Sequence, residues 1–137
     1  MVRHRRQDWP LRLNAWLDSV REKAFAWGTH DCVLGAADAV LAMTGQDPAQ
    51  AYRARYQTRT GAARVLAEHG GLEALVTGAL GAPLPGPRLA GRGDVVLMES
   101  GTQGPMLAVV IGASAVAPGP EGATFLPMAD WRTGWRV

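Results

Sequence analysis

Apolar residues recur at helical spacing through the first part of the chain and in strand-like runs through the last part. In DWPLRLNAWLDSVREKAF, residues 8–25, Leu13, Trp16, Leu17 and Val20 recur at intervals of 3, 4 and 7 and form one apolar stripe. Asp8 is placed to cap this helix, Pro10 suits its first turn, and Gly28 breaks the pattern. DCVLGAADAVLAMTG, residues 31–45, predicts a second helix closed by Gly45. Val33, Ala36, Ala37, Val40, Leu41 and Met43 leave it little polar face apart from Asp38, so it should be central and buried. DPAQAYRARY, residues 47–56, carries another start signal in Asp47 and Pro48. TRTGAARVLAEHGG and GLEALVTGALG predict two more short helices, interrupted at Gly70 and Gly71.

The character of the chain changes after APLPGPRLAGRG, a Pro/Gly loop over 82–93. GDVVLMES, PMLAVVIGA, SAVAP and ATFLPM then read as short strands between turn residues, and Trp131 and Trp135 in the closing ADWRTGWRV should pack over a sheet edge. Helices followed by strands predict an α+β fold, N-terminal helices packed on a C-terminal antiparallel sheet. At 137 residues the expectation is one domain: a basic, flexible arm over 1–7, a helical half over 8–81, the loop over 82–93 and a β half over 94–137.

A 47% hydrophobic and 19% charged composition belongs to a globular chain. A formal charge of +2, from 14 basic and 12 acidic residues, is too balanced to indicate nucleic-acid binding; the basic stretch VRHRR, residues 2–6, reads as a solvated arm. No apolar run approaches the roughly 20 residues of a membrane span, and no apolar signal segment opens the chain, so the protein is expected to be made in the cytoplasm. A lone cysteine allows no internal disulfide. His30, Asp31 and Cys32 lack a second pair of ligands at structural-metal spacing, and neither metal nor cofactor is expected.

The stretch FAWGTHDCVLGAADAV holds the chemistry. A thiol at a helix N-terminus sits where backbone N–H groups and the helix dipole favour its thiolate, the placement a cysteine nucleophile requires, and it then needs an imidazole within hydrogen-bond reach. The alternative is that Cys32 fills space, as buried cysteines often do. The chain has three histidines. His4 lies in the basic arm, His69 suits a solvent-facing helix end, and His30 is two positions before the thiol, too near in sequence to reach readily over the sulfur. Among the five tryptophans, Trp16 and Trp27 read as core, whereas Trp9, Trp131 and Trp135 are candidate interface residues. The loop from Leu84 to Gly91 is either a further contact surface or only the joint between the halves.

WGTHDCVLGAADAV, followed by GDVVLMES and MLAVVIG, resembles the NlpC-type cell-wall peptidases, a papain-like superfamily; the resemblance covers roughly residues 25–118. More narrowly, the chain is similar to small phage and prophage proteins of that superfamily associated with tails. The resemblance assigns Cys32 to the nucleophile, Asp31 to the aspartate before it, and Gly93 and Asp94 to the opening of the first strand. Counting back from Gly112, the catalytic histidine position falls on Met106 and the third polar position near Val116. Neither side chain can accept a thiol proton or orient an imidazole.

What the resemblance implies is therefore a structural or assembly component of a bacteriophage tail tip, localised to the virion and partnered by other tail proteins, on a degenerate peptidase fold. The alternative is an active peptidase or amidase acting on peptidoglycan stem peptides through Cys32. Two expectations follow: Cys32→Ala leaves the biological role mostly intact, and Asp94, bonding the turn before it, contributes about 1 kcal/mol.

Overall fold

The computed structural model describes residues 3–100 and 104–137. Met1 and Val2 of the basic arm, and residues 101–103 of the β half, lie outside the described residues. The fold is α+β. Helices α1 (Trp9–Val20), α2 (Cys32–Thr44), α3 (Arg59–Glu68) and α4 (Leu72–Leu80) precede β1 (Val95–Ser100), β2 (Gly104–Val110), β3 (Ser114–Pro118), β4 (Ala123–Pro127) and β5 (Thr133–Trp135). The strands form one antiparallel sheet in the order β4-β3-β2-β1-β5.

Alternation along the strands divides the interior in two. Val95, Leu97, Leu107, Val109, Val116 and Trp135 face the helices and join Leu13, Trp16, Leu17, Val20, Leu34, Val40 and Met43 in the main core. Gly35, Ala36, Ala37 and Ala39 are buried along α2, and their small size lets this central helix approach both sheet and neighbouring helices. The other sheet face carries Val96, Met98, Ala108, Val110, Ala115 and Ala117, covered by Ala90 and Trp131. The Pro/Gly loop is thus more than a joint: the Leu84 N–H donates to the Gly134 carbonyl at 2.7 Å, and Leu84 and Ala90 pack on this second face.

Several expectations are corrected. The helix read over 8–25 stops at Val20. The Arg21 carbonyl accepts from Ala123 N–H at 2.9 Å, and Phe25 N–H donates to Gly119 O at 2.8 Å, so backbone pairing with the β3–β4 turn claims groups that would extend the helix. Asp8 makes no side-chain cap bond and instead pairs with Arg12 at 2.8 Å. No helix forms over residues 47–56; consecutive turns run over 48–54 instead. The Asp47 carboxylate accepts from Ala49 N–H and from Arg53, while Ala54 takes a positive φ of 63°.

The interface tryptophans are corrected as well. Trp135 is 0% exposed and Trp131 is buried in the second face, because the closing segment joins the sheet as β5 instead of lying over its edge. Trp9 is half-buried beneath the Arg5 guanidinium, 4.2 Å from the ring centre. Trp27, expected in the core, is 39% exposed and stands edge-on to Phe25.

The described part of the basic arm is docked rather than loose. Arg3 donates to the Ala79 and Leu80 carbonyls at the end of α4, and Arg6 N–H donates to the Met43 carbonyl at 2.8 Å. Arg5 donates to the carbonyls of Val137 and Arg92 and to Asp94. No helix among the described residues is long and apolar enough to cross a membrane.

Candidate functional site around Cys32

Asp31 starts α2 with extended backbone, and its Oδ1 accepts from Leu34 N–H at 2.9 Å, a side-chain N-cap. Its Oδ2 accepts from Gly28 N–H at 3.0 Å and from the Tyr56 hydroxyl at 2.7 Å. Both oxygens of this buried carboxylate are therefore engaged in holding the loop that delivers Cys32. Gly28 is required here: its φ is +82°, and a Cβ would fall 2.3 Å from the Tyr56 carbonyl oxygen. Tyr56 is the partner that sequence reasoning misses; it lies 25 positions away, and nothing local marks it. Burial, followed by the bond to Asp31, drives the Tyr56 hydroxyl well above the usual tyrosine range, so it remains a donor.

Cys32 is the first residue of α2, and the residue as a whole is half-buried. Burial of the sulfur pushes the thiol up to about 11, and the Asp31 carboxylate adds to that rise. Backbone amides of Leu107, Cys32 and Val33 favour the thiolate but are outweighed by burial. Leu107, on β2, brings its backbone N–H to the sulfur from across the sheet–helix contact. Met106, assigned to the histidine position, belongs with the side chains of the opposite sheet face. That correction follows from strand alternation, since adjacent residues point to opposite faces. Val116 is buried on the helix-facing side.

His30 stays beside Cys32 in sequence but not in chemistry. Its backbone pairs with Ala26, N–H to carbonyl at 2.8 Å and carbonyl to N–H at 3.0 Å. Its ring is buried, and neither ring nitrogen has a hydrogen-bond partner among the described residues, so it is not bonded to the thiol. It packs with Trp16, Val20, Gly35, Val116 and Pro118 in a niche between α1, α2 and β3 that has no room for a water molecule. Among the described residues, no three His, Cys, Asp or Glu side chains are grouped to hold a metal ion. A separate, apolar cavity of about 40 Å³ lies between α2, α4 and the 48–52 turns, bounded by Val33, Val40, Tyr52, Val76 and Leu107.

Gly93 and Asp94 serve the scaffold. Gly93 has φ +91°, and a Cβ would come within 2.9 Å of Met43 Sδ. The fully buried Asp94 carboxylate accepts from Gly91 N–H at 2.9 Å, Arg5 at 2.8 Å, Arg136 at 3.2 Å and Val137 N–H at 2.9 Å. The expected bond to the preceding turn is present, joined by two guanidiniums and the last backbone amide. His69 is exposed at the end of α3, with Nδ1 2.9 Å from the Val65 carbonyl.

The chain belongs to the DUF6950 family, a domain of unknown function whose model matches residues 4–137. No curated protein shows a significant match to the sequence.

Proposed function

We propose that this protein is a non-hydrolytic scaffold component of a bacteriophage tail, built on a papain-like, NlpC-type fold. The observation that carries the non-hydrolytic part is at Cys32. Its thiol is held protonated at neutral pH, and the nearest histidine in sequence has no hydrogen bond to it. Amide cleavage needs a base for the thiol proton and an acid for the leaving amine, and general acid–base assistance contributes roughly 10²–10⁴ in rate. Leu107 and Val116 offer neither.

A half-buried cysteine opening a central helix, followed by a meander whose first strand follows Gly-Asp, supports the fold relationship. The sequence resemblance to small tail-associated proteins supplies the biological setting.

The test has two arms. Purified protein incubated with peptidoglycan stem peptides should release no product, and phage particles from a strain carrying this gene should contain the chain, detected by mass spectrometry of purified tails. Particle assembly should survive Cys32→Ala. Stem-peptide cleavage that disappears in Cys32→Ala would establish the peptidase alternative, and tails that form without the chain would remove the scaffold role.

A further inference from the structure

The packed niche between α1, α2 and β3 holds a polar arrangement that folding alone does not explain. His30 is 1% exposed, and among the described residues neither Nδ1 nor Nε2 has a hydrogen-bond partner. The Trp16 indole N–H, from a residue lining the same niche, is also buried without an acceptor among the described residues. The remaining lining consists of Val20, Gly35, Ala36, Val116, Ala117, Pro118 and Ala123, which place no side-chain hydrogen-bonding group against the ring. Gly35 is part of the fit: a Cβ there would be 3.5 Å from His30 Cε1 and 3.1 Å from Pro118 Cγ. A neutral imidazole tolerates this setting at a cost, whereas an imidazolium would be a buried charge with no acceptor.

We propose that His30 is an acid-sensitive latch: its neutral ring fills this packed niche and holds the 25–31 loop against the core, and its protonation expels the ring and releases the loop with the capped start of α2. The loop is suited to move as a unit. It is joined internally by the Ala26–His30 pairing and the Gly28–Asp31 bond, and to the rest of the molecule through Phe25 N–H to Gly119 O and Tyr56 to Asp31. Of these attachments, His30 is the one whose side chain can gain a charge as the pH falls below the ordinary imidazole value of 6.5.

The charged surroundings set the sign. Burial lowers the pKa of His30 from its ordinary value of 6.5, and Lys23, just after α1, acts in the same direction. Asp38 on α2 and Asp31 at its start oppose them less strongly. Cys32 is a neutral thiol at these pH values. The residues of α1, β3 and the β3–β4 turn that line the niche carry no ionisable group. With the folded value depressed, the closed loop has its full stability above about pH 6.5 and loses it as pH falls from there towards the folded-state value. The open population then rises by up to about tenfold per pH unit.

Hydrogen exchange of the full chain between pH 7.5 and 4.5, corrected for the intrinsic pH dependence of exchange, tests this. Amides 26–34 should lose protection as pH falls below about 6.5, while β1 and β2 amides retain theirs. His30→Phe should remove that pH dependence. Because this variant changes the packing, the wild-type His30 ring is also followed by NMR, and its titration should coincide with loss of loop protection. Unchanged loop protection in wild type through His30 protonation, a ring that titrates at or above 6.5 in the closed protein, or the same pH-dependent opening in folded His30→Phe would overturn the latch.

Discussion

At the scale of single residues, burial changes what each motif side chain does. Asp94 reads from sequence as a turn aspartate worth about 1 kcal/mol. Its complete burial and its pairing with Arg5 raise the stakes, because removing one partner of a buried ion pair costs on the order of 3–5 kcal/mol. Asp94→Ala should therefore lower unfolding stability by about that amount in urea denaturation, and a loss below ~1 kcal/mol would show that the cluster relaxes around the gap. Cys32 illustrates the opposing effect. A helix N-terminus favours thiolate, but burial dominates and holds the thiol near 11. Alkylation by iodoacetamide at pH 7.5 should consequently run about a hundredfold below an unperturbed cysteine and climb tenfold per pH unit through pH 10. A rate plateau near neutrality would indicate an activated thiol.

At the scale of elements, the start of α2 depends on its polar anchors as well as on the apolar character of the helix. Tyr56→Phe removes the hydroxyl that Asp31 accepts from and should cost about 1.5–3 kcal/mol, the range for a hydrogen bond to a charged group. Gly28→Ala should be worse than its surface position suggests. The new methyl would meet the Tyr56 backbone, and the positive φ adds strain of about 1–3 kcal/mol by itself. Thermal unfolding of both variants would check this; a Gly28→Ala protein as stable as wild type would mean that the loop has another conformation. Element boundaries follow the same logic. The first helix ends where β4 takes the Arg21 carbonyl, and turns run over 48–54 where Asp47 and Arg53 hold one another.

For the whole molecule, the basic stretch near the beginning and the last residues act together. Arg5 bridges the Val137 carbonyl, the Arg92 carbonyl and Asp94, while Arg3 caps the carbonyls ending α4. The helical layer, the sheet and both outer segments are thus joined through a few guanidinium contacts. A double-mutant cycle between Arg5 and Asp94 should give a coupling energy of about 1–3 kcal/mol. Additive effects would mean that Arg136 and the backbone amides suffice for Asp94.

Much of the architecture was legible in the order of patterns along the chain. The stripe from Leu13 to Val20, the small apolar residues of α2 and the strands after Gly93 depend on local periodicity, and burial of one face follows from it. Gly45 ends α2 in the left-handed conformation expected of it. The candidate site was only half legible. Asp31 and Cys32 are local to the start of one helix, but Tyr56, Leu107 and the two arginines on Asp94 come from distant parts of the chain. The basic arm read as solvated, and Trp131 and Trp135 as available for partners, because sequence shows side-chain character, not what covers it. Periodicity determined the four helices and the first four strands, whereas β5 and the turns before α3 were set by tertiary contacts. Tertiary structure alone decided which groups met, because burial, charge pairing and the chemistry of Cys32 depend on neighbours brought together only when the chain folds.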